Sequence, residues 1–275
     1  MDQPSPDLWG VIAPLTMNNP FLQQAPIPGV KKIIAVGSGK GGVGKSTIAV
    51  NLGLSLKRLG LKVGLLDADV YGPSLPRLMG ALNQKVEISE AGKMLPVKRL
   101  GVSLMSIGFV VDENQAVVWR GPMLFKAMDQ FFRDTDWGEL DVLVVDLPPG
   151  TGDVPLTMAQ KVPVAGAVVV CTPQNLALAD AKKAFDMFDR INVPVLGAVE
   201  NMAYLEKDGE KIQLFPRGEL NSYLDLKRIK KIAEIPFDPA VGLSSEAGIP
   251  YVESQDGANS PFNEMAQEIK TRLEL

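Results

Sequence analysis

The stretch 32-KIIAVGSGKGGVGKSTIAV-50 decides the fold. It opens on an apolar, β-branched run (32–37) and closes into a helical pattern that continues to residue 60. Between the two, Gly39, Gly44, Lys45 and Ser46 fit the spacing G-x-x-x-x-G-K-[ST] of a phosphate-binding loop. Glycine lets backbone amides turn inward with no Cβ in the way, and amides at a helix N-terminus attract anions. The loop from Gly39 through Lys40, Gly41, Gly42, Val43, Gly44, Lys45 and Ser46 to Thr47 is therefore expected to wrap the phosphates of ATP. Lys45 would reach the β- and γ-phosphates, and the Ser46 hydroxyl would ligate Mg²⁺. Gly37, Gly39 and Gly42 also spell the dinucleotide fingerprint G-x-G-x-x-G, with Asp67 where a ribose-binding acid would sit. That reading leaves Gly44, Lys45 and Ser46 without a purpose. One lysine suffices to hold a phosphate, so Lys40 is left over.

Outward from the loop, short apolar runs alternate with amphipathic stretches. The runs at 62–68, 102–108, 141–147, 165–172 and 194–201 are nearly continuous in hydrophobic residues, as strands buried on both faces of a parallel sheet are. Helical patterns fall at 45–60, 121–134, 153–162, 175–191 and 261–275, the last with Ser260 at its N-cap and Pro261 in its first turn. The alternation predicts an α/β domain over 30–275, built on a doubly wound, mostly parallel sheet, after an irregular proline-rich extension over 1–29. In such sheets ligands sit at the carboxyl ends of the strands. Asp67 and Asp69 end the second run and Asp146 ends 141-DVLVVD-146. The three acids are expected to converge on a triphosphate, where carboxylates can hold Mg²⁺ and orient an attacking water.

Composition narrows the chemistry. The net charge of −4 gives no basic footprint for nucleic acid, and no apolar run is long enough to span a bilayer. The last helix carries Glu264, Glu268 and Glu274 rather than a basic face suited to a membrane surface. The N-terminus lacks the pattern of a secretory signal, and a single cysteine suits a reducing cytoplasm. There is no histidine, which removes the commonest general base and transition-metal ligand.

These residues resemble a known family. Lys40-Gly41-Gly42-Val43-Gly44-Lys45-Ser46 looks like the deviant Walker A loop of the MinD/ParA/nitrogenase-iron-protein class (SIMIBI P-loop NTPases). The blocks 66-LDADVYGPSLP-76, 117-VVWRGPM-123, 137-WGELDVLVVDLPPGTGDVPLTMAQ-160, 171-CTPQ-174 and 199-VENM-202 are similar to the Mrp/ApbC iron–sulfur cluster carrier ATPases. The resemblance implies a slow ATP hydrolase acting as a homodimer, with an iron–sulfur client or assembly protein as partner. It implies that Lys40 crosses the dimer interface to the partner's phosphates, as an arginine finger would. It also implies that Asp69 positions the hydrolytic water, that Asp146 sits near Mg²⁺ through water, and that Asn201, Pro236 and Asp238 contact the base.

The chain departs from the family in the segment after V-E-N-M. Cluster-carrying members have C-x-x-C after V-E-N-M, whereas 199-VENMAYLEKDGEKIQLFPRGEL-220 contains neither cysteine nor histidine. The lone thiol, Cys171, ends an apolar run and reads as a buried structural residue. Two such thiols per dimer fall short of the four usual for a [4Fe–4S] cluster, and Glu206, Asp208 and Glu210 are poor ligands for a soft one. The sequence therefore predicts no stable cluster held by the family's route. It keeps open a MinD/ParA-like module that recruits a partner in response to nucleotide, with no cluster at all.

Overall fold

The structure is a computed structural model describing residues 24–110, 121–216, 219–254 and 260–275. Trp119 and Arg120 lie outside these residues. Six strands occupy the expected runs: β1 (Val30–Ser38), β2 (Val63–Asp67), β6 (Val102–Ser106), β7 (Leu140–Asp146), β8 (Gly166–Cys171) and β9 (Val195–Asn201). Their side chains alternate between two cores because successive residues of a strand face opposite sides. Along β7, Val142 and Val144 pack beneath helices α1 (Lys45–Arg58) and α8 (Pro261–Leu273). Leu143 and Val145 pack on the other face, beneath α3 (Gly121–Arg133), α4 (Asp153–Lys161) and α5 (Asn175–Arg190).

Two more strands close the sheet at its rims. These are β5 (Val97–Arg99) and β12 (Lys231–Ile235), giving the order β12-β9-β8-β1-β7-β2-β6-β5. Every neighbouring pair is parallel except β5 with β6. The two rim strands escape the sequence pattern for a physical reason. An edge strand is covered on one side only, so VKR and KIAEI carry lysine, arginine and glutamate where central strands are apolar.

Two small hairpins project from the sheet: β3 (Glu87–Ile88) with β4 (Met94–Leu95), and β10 (Leu205–Lys207) with β11 (Glu210–Ile212). Short helices α2 (Leu75–Leu78), α6 (Leu220–Lys227) and α7 (Pro239–Glu246) and two 3-10 turns, Ile107–Phe109 and Tyr251–Glu253, complete the described elements. None of these small elements was expected. Helix α1 stops at Arg58 rather than at residue 60, since Gly60 turns the chain at φ 86°. Ser260 does stand at the N-cap of α8, but its hydroxyl makes no capping bond.

Residues 24–29 are irregular yet packed. Ile27 is in the core, the Ala25 amide donates to the Lys161 carbonyl at 3.0 Å, and Arg133 donates to the Pro26 carbonyl at 2.9 Å. No helix among the described residues is long and apolar enough to cross a membrane.

Candidate functional site

Strand β1 lies between β7 and β8, and the loop 39–44 leaves its carboxyl end to open α1. Two glycines there have no substitute. A Cβ on Gly39 would fall 1.8 Å from the Asp180 carbonyl oxygen, so the loop lies directly on the backbone of α5. Gly44 caps α1 at φ 81°, and a Cβ there would meet the Asn201 side-chain nitrogen at 2.2 Å. That same nitrogen donates to the Val43 carbonyl at 2.8 Å. Asn201, expected at a base, thus reaches from the end of β9 to hold the phosphate loop in shape.

Lys45 is buried, and its ammonium lies 2.5 Å from Asp146 Oδ1 and 3.2 Å from Ser46 Oγ. An ammonium has three donors, so one remains for an anion in the loop. Sheet register places Asp146 directly beside Asp67. Burial, opposed by Lys45, raises the Asp146 carboxyl above its usual range. The Asp146 Oδ2 oxygen is buried with no hydrogen-bond partner. A buried carboxylate oxygen lacking a donor, beside the Ser46 hydroxyl, fits a hydrated Mg²⁺ delivered with phosphates. Among the described residues no group of three or more His, Cys, Asp or Glu forms a self-sufficient metal site.

The other two carboxylates differ in what occupies them. Asp67 is fully buried and accepts from the amides of Asp69, Ser74 and Leu75 and from the Ser106 hydroxyl, at 2.9–3.2 Å. Burial, and then the neighbouring Asp146 charge, push it up to about 7. With those bonds Asp67 shapes the 67–75 turn, a fixed framework rather than a free base. Asp69 is half-buried on that turn, and its Oδ1 accepts from the Gly72 amide at 3.2 Å. Its second carboxylate oxygen is available to a water. Lys40 is half-exposed, and among the described residues no carboxylate lies within 4 Å of its ammonium. Its carbonyl accepts from Ser38 Oγ at 2.9 Å, which fixes the backbone and leaves the side chain to reach outward.

Beyond Asn201, a cleft of about 530 Å³ opens between the ends of β9 and β12 and the start of α8. Pro236 and Asp238, which the family resemblance assigns to the base, line it together with Tyr204, Phe237 and Tyr251. Asp238 is already engaged: Oδ1 caps α7 through the Ala240 amide at 2.8 Å, and Oδ2 accepts from the Tyr251 hydroxyl at 3.0 Å. Tyr204 and Tyr251 went unnoticed in the sequence because rings so far apart in the chain carry no local signal.

Where the C-x-x-C would stand, the chain makes the β10–β11 hairpin. Asp208 at φ 54° and Gly209 at φ 79° form its turn, the left-handed pair that two-residue hairpin turns require. Register pairs Glu206 with Lys211 and Lys207 with Glu210, so the two glutamates face opposite sides and cannot converge on one ligand. Cys171 is 3% exposed, and its thiol donates to the Val199 carbonyl at 3.4 Å. Burial, and then Glu200, push it up to about 12. At pH 8, Ellman's reagent should modify the folded protein at least about a hundredfold more slowly than the unfolded chain, since only the thiolate reacts. Equal rates would mean that the thiol is accessible.

Comparison with known proteins shows the family. The profile of the family described as NUBPL iron-transfer P-loop NTPase matches residues 29–273. An iron–sulfur cluster carrier protein of Aquifex aeolicus is 51% identical over 238 residues, which are 86% of this chain and 65% of the relative. The chain thus spans about two thirds of that relative's length. The Escherichia coli protein of the same description is 45% identical over 252 residues, covering 91% of this chain and 68% of its own. Among solved structures, a nucleotide-binding protein of Archaeoglobus fulgidus in complex with ADP is 40% identical, with a TM-score of 0.72 over 84% of this chain and 92% of that one. The cell-division ATPase MinD of Pyrococcus furiosus is 23% identical at a TM-score of 0.62, a likeness of fold.

Proposed function

The chain belongs to the NUBPL type of iron-transfer P-loop NTPases, and from that premise we propose that it is a Mg²⁺-dependent, homodimeric ATPase serving iron–sulfur cluster assembly or transfer. The observation that carries the reading is the division of labour between two lysines in one loop. Lys45 is turned inward onto Asp146 and Ser46, while Lys40 has no carboxylate partner among the described residues and stands at the surface. A cation that its own site does not need is suited to a phosphate bound by a second copy.

Ser46 and Asp146 would hold Mg²⁺, the latter through water. The ion would neutralise charge developing between the β- and γ-phosphates. The loop amides and Lys45 bind the phosphates, Asp69 orients the attacking water, and Lys40 adds charge in trans. Asp67 keeps the turn that carries Asp69 in place. The cleft between Pro236, Phe237 and Tyr251 accommodates the base.

The cluster is cargo, and the chain's own side chains do not suit it. One buried thiol per subunit gives a dimer two ligands, against the four usual for a cluster. In this reading nucleotide drives a dimer that presents or receives a client bringing its own cysteines. The buried thiol equally favours a second reading, a nucleotide-switched recruiter of a partner with no cluster involved. Anaerobic reconstitution followed by iron and sulfide analysis after desalting should find no stoichiometric cluster. A persistent cluster that disappears in Cys171→Ser would overturn the ligand argument and make the thiol central. Delivery of a partner's cluster to an apoprotein, stimulated by ATP and this chain, would separate the first reading from the second.

A further inference from the structure

Helix α1 starts at the phosphate loop and carries a buried polar side chain one turn further on. Asn51 lies a turn beyond Thr47 and is 2% exposed. Its amide nitrogen donates to the Thr47 carbonyl at 2.8 Å, and its Oδ1 accepts from the Val252 amide at 2.9 Å. Both groups are thus used, one on each side. Thr47 stands in the first turn of α1, behind the loop. Val252 sits between Tyr251, which walls the 530 Å³ cleft, and Glu253, which pairs with Lys57 and Arg58 on the same helix at 3.7 and 3.8 Å. The Tyr251 hydroxyl in turn donates to Asp238, the cap of α7. A continuous chain of bonds therefore runs from the phosphate end of α1 through Asn51 to the aromatic wall.

We propose that Asn51 is a positioning residue that fixes the distance between the phosphate loop and the base cleft, so that a nucleotide is recognised as one rigid ligand. The inference rests on the nucleotide reading above. Asn suits the post because its amide both donates and accepts in one plane. The Glu253 ion pairs are half-exposed and contribute little to fixing the wall. Asn51 is the buried polar link, and losing it strands the Val252 amide away from water, which a folded chain tolerates poorly.

The test compares two ligands sharing a phosphate chain: MgATP and magnesium tripolyphosphate, titrated by calorimetry well below the melting temperature. Asn51→Leu keeps the volume and removes both bonds. Its affinity for ATP should fall about fivefold or more, the worth of a buried hydrogen bond, while tripolyphosphate changes by less than about twofold. Asn51→Asp retains the acceptor for Val252 and should fall between. A purely structural role would weaken both ligands alike, and that result would overturn the inference, as would no change for either. Should Asn51→Leu not fold, amide exchange in the wild-type protein decides: the Val252 amide should gain protection with ATP and not with tripolyphosphate, and equal protection by both would sink the idea. A wild-type protein that binds tripolyphosphate but gains nothing from the base would fail on the cleft, and one that binds neither would fail on the nucleotide reading, each taking this inference with it.

Discussion

Lys45→Ala should lose ATP binding by at least about a hundredfold, because an ammonium on two phosphates supplies charge-assisted hydrogen bonds that no neighbour replaces. The same substitution has a second, separable cost. It leaves Asp146 buried without its cation, and breaking a buried pair in this way costs about 3–5 kcal/mol when the remaining charge is trapped. Asp146 has an escape, since burial already raises its pKa and protonation relieves the charge. The sign follows. A carboxylate whose folded pKa is raised holds a proton where the unfolded chain has released it, so its contribution to stability falls as pH rises. Asp67 beside it carries the same sign over its own window, from the ordinary 3.8 to about 7. The Lys45→Ala protein should accordingly be more stable relative to wild type at acidic pH than at pH 8. Adding Asp146→Asn should recover much of the melting temperature and none of the ATP binding. Recovery of binding in the double variant, measured by calorimetry, would remove Lys45 from the phosphate site.

Lys40→Ala should behave in the opposite way. ATP still binds, because the loop amides and Lys45 are intact, while hydrolysis falls by about a hundredfold or more, the range of a missing finger residue. Mixing subunits then locates the lysine. In a dimer of one Lys40→Ala and one Asp69→Ala subunit, the first supplies an intact Asp69 and the second an intact Lys40. If the lysine works across the interface, those two complete one site. Random mixing makes about half the dimers mixed, so turnover should return to roughly a quarter of wild type. A lysine working on its own nucleotide gives no recovery at all, and steady-state phosphate release distinguishes the two.

Much of this was legible in the sequence because central strands and phosphate loops leave local signatures. Val142 to Val145 are apolar on both faces, and Gly39 to Ser46 occupy consecutive positions with fixed roles. What escaped was set by distance. Lys231 to Ile235 form a strand only because β9 offers an edge, and nothing in KIAEI distinguishes that from a loop. Asp67 and Asp69 read as equals two residues apart, yet the turn folds back so that Ser74, Leu75 and Ser106 occupy the first. Asn51 looks like any polar residue in a helix until Val252, far along the chain, arrives to use its oxygen.

The place of β1 in the sheet bears on how the chain is made. Among the described residues the first strand to be synthesised lies in the middle of the sheet, and its two neighbours, β7 and β8, follow more than a hundred residues later. Pairings so distant in sequence are slow to close. The phosphate loop waits longer still, since Gly39 rests on Asp180 and the Val43 carbonyl is held by Asn201. On the proposed reading, a nascent chain with every glycine and lysine of the loop already outside the tunnel is not expected to grip a nucleotide until Asn201 has emerged. The ligand would then act as a late clamp on a nearly finished domain and not as an early template for it.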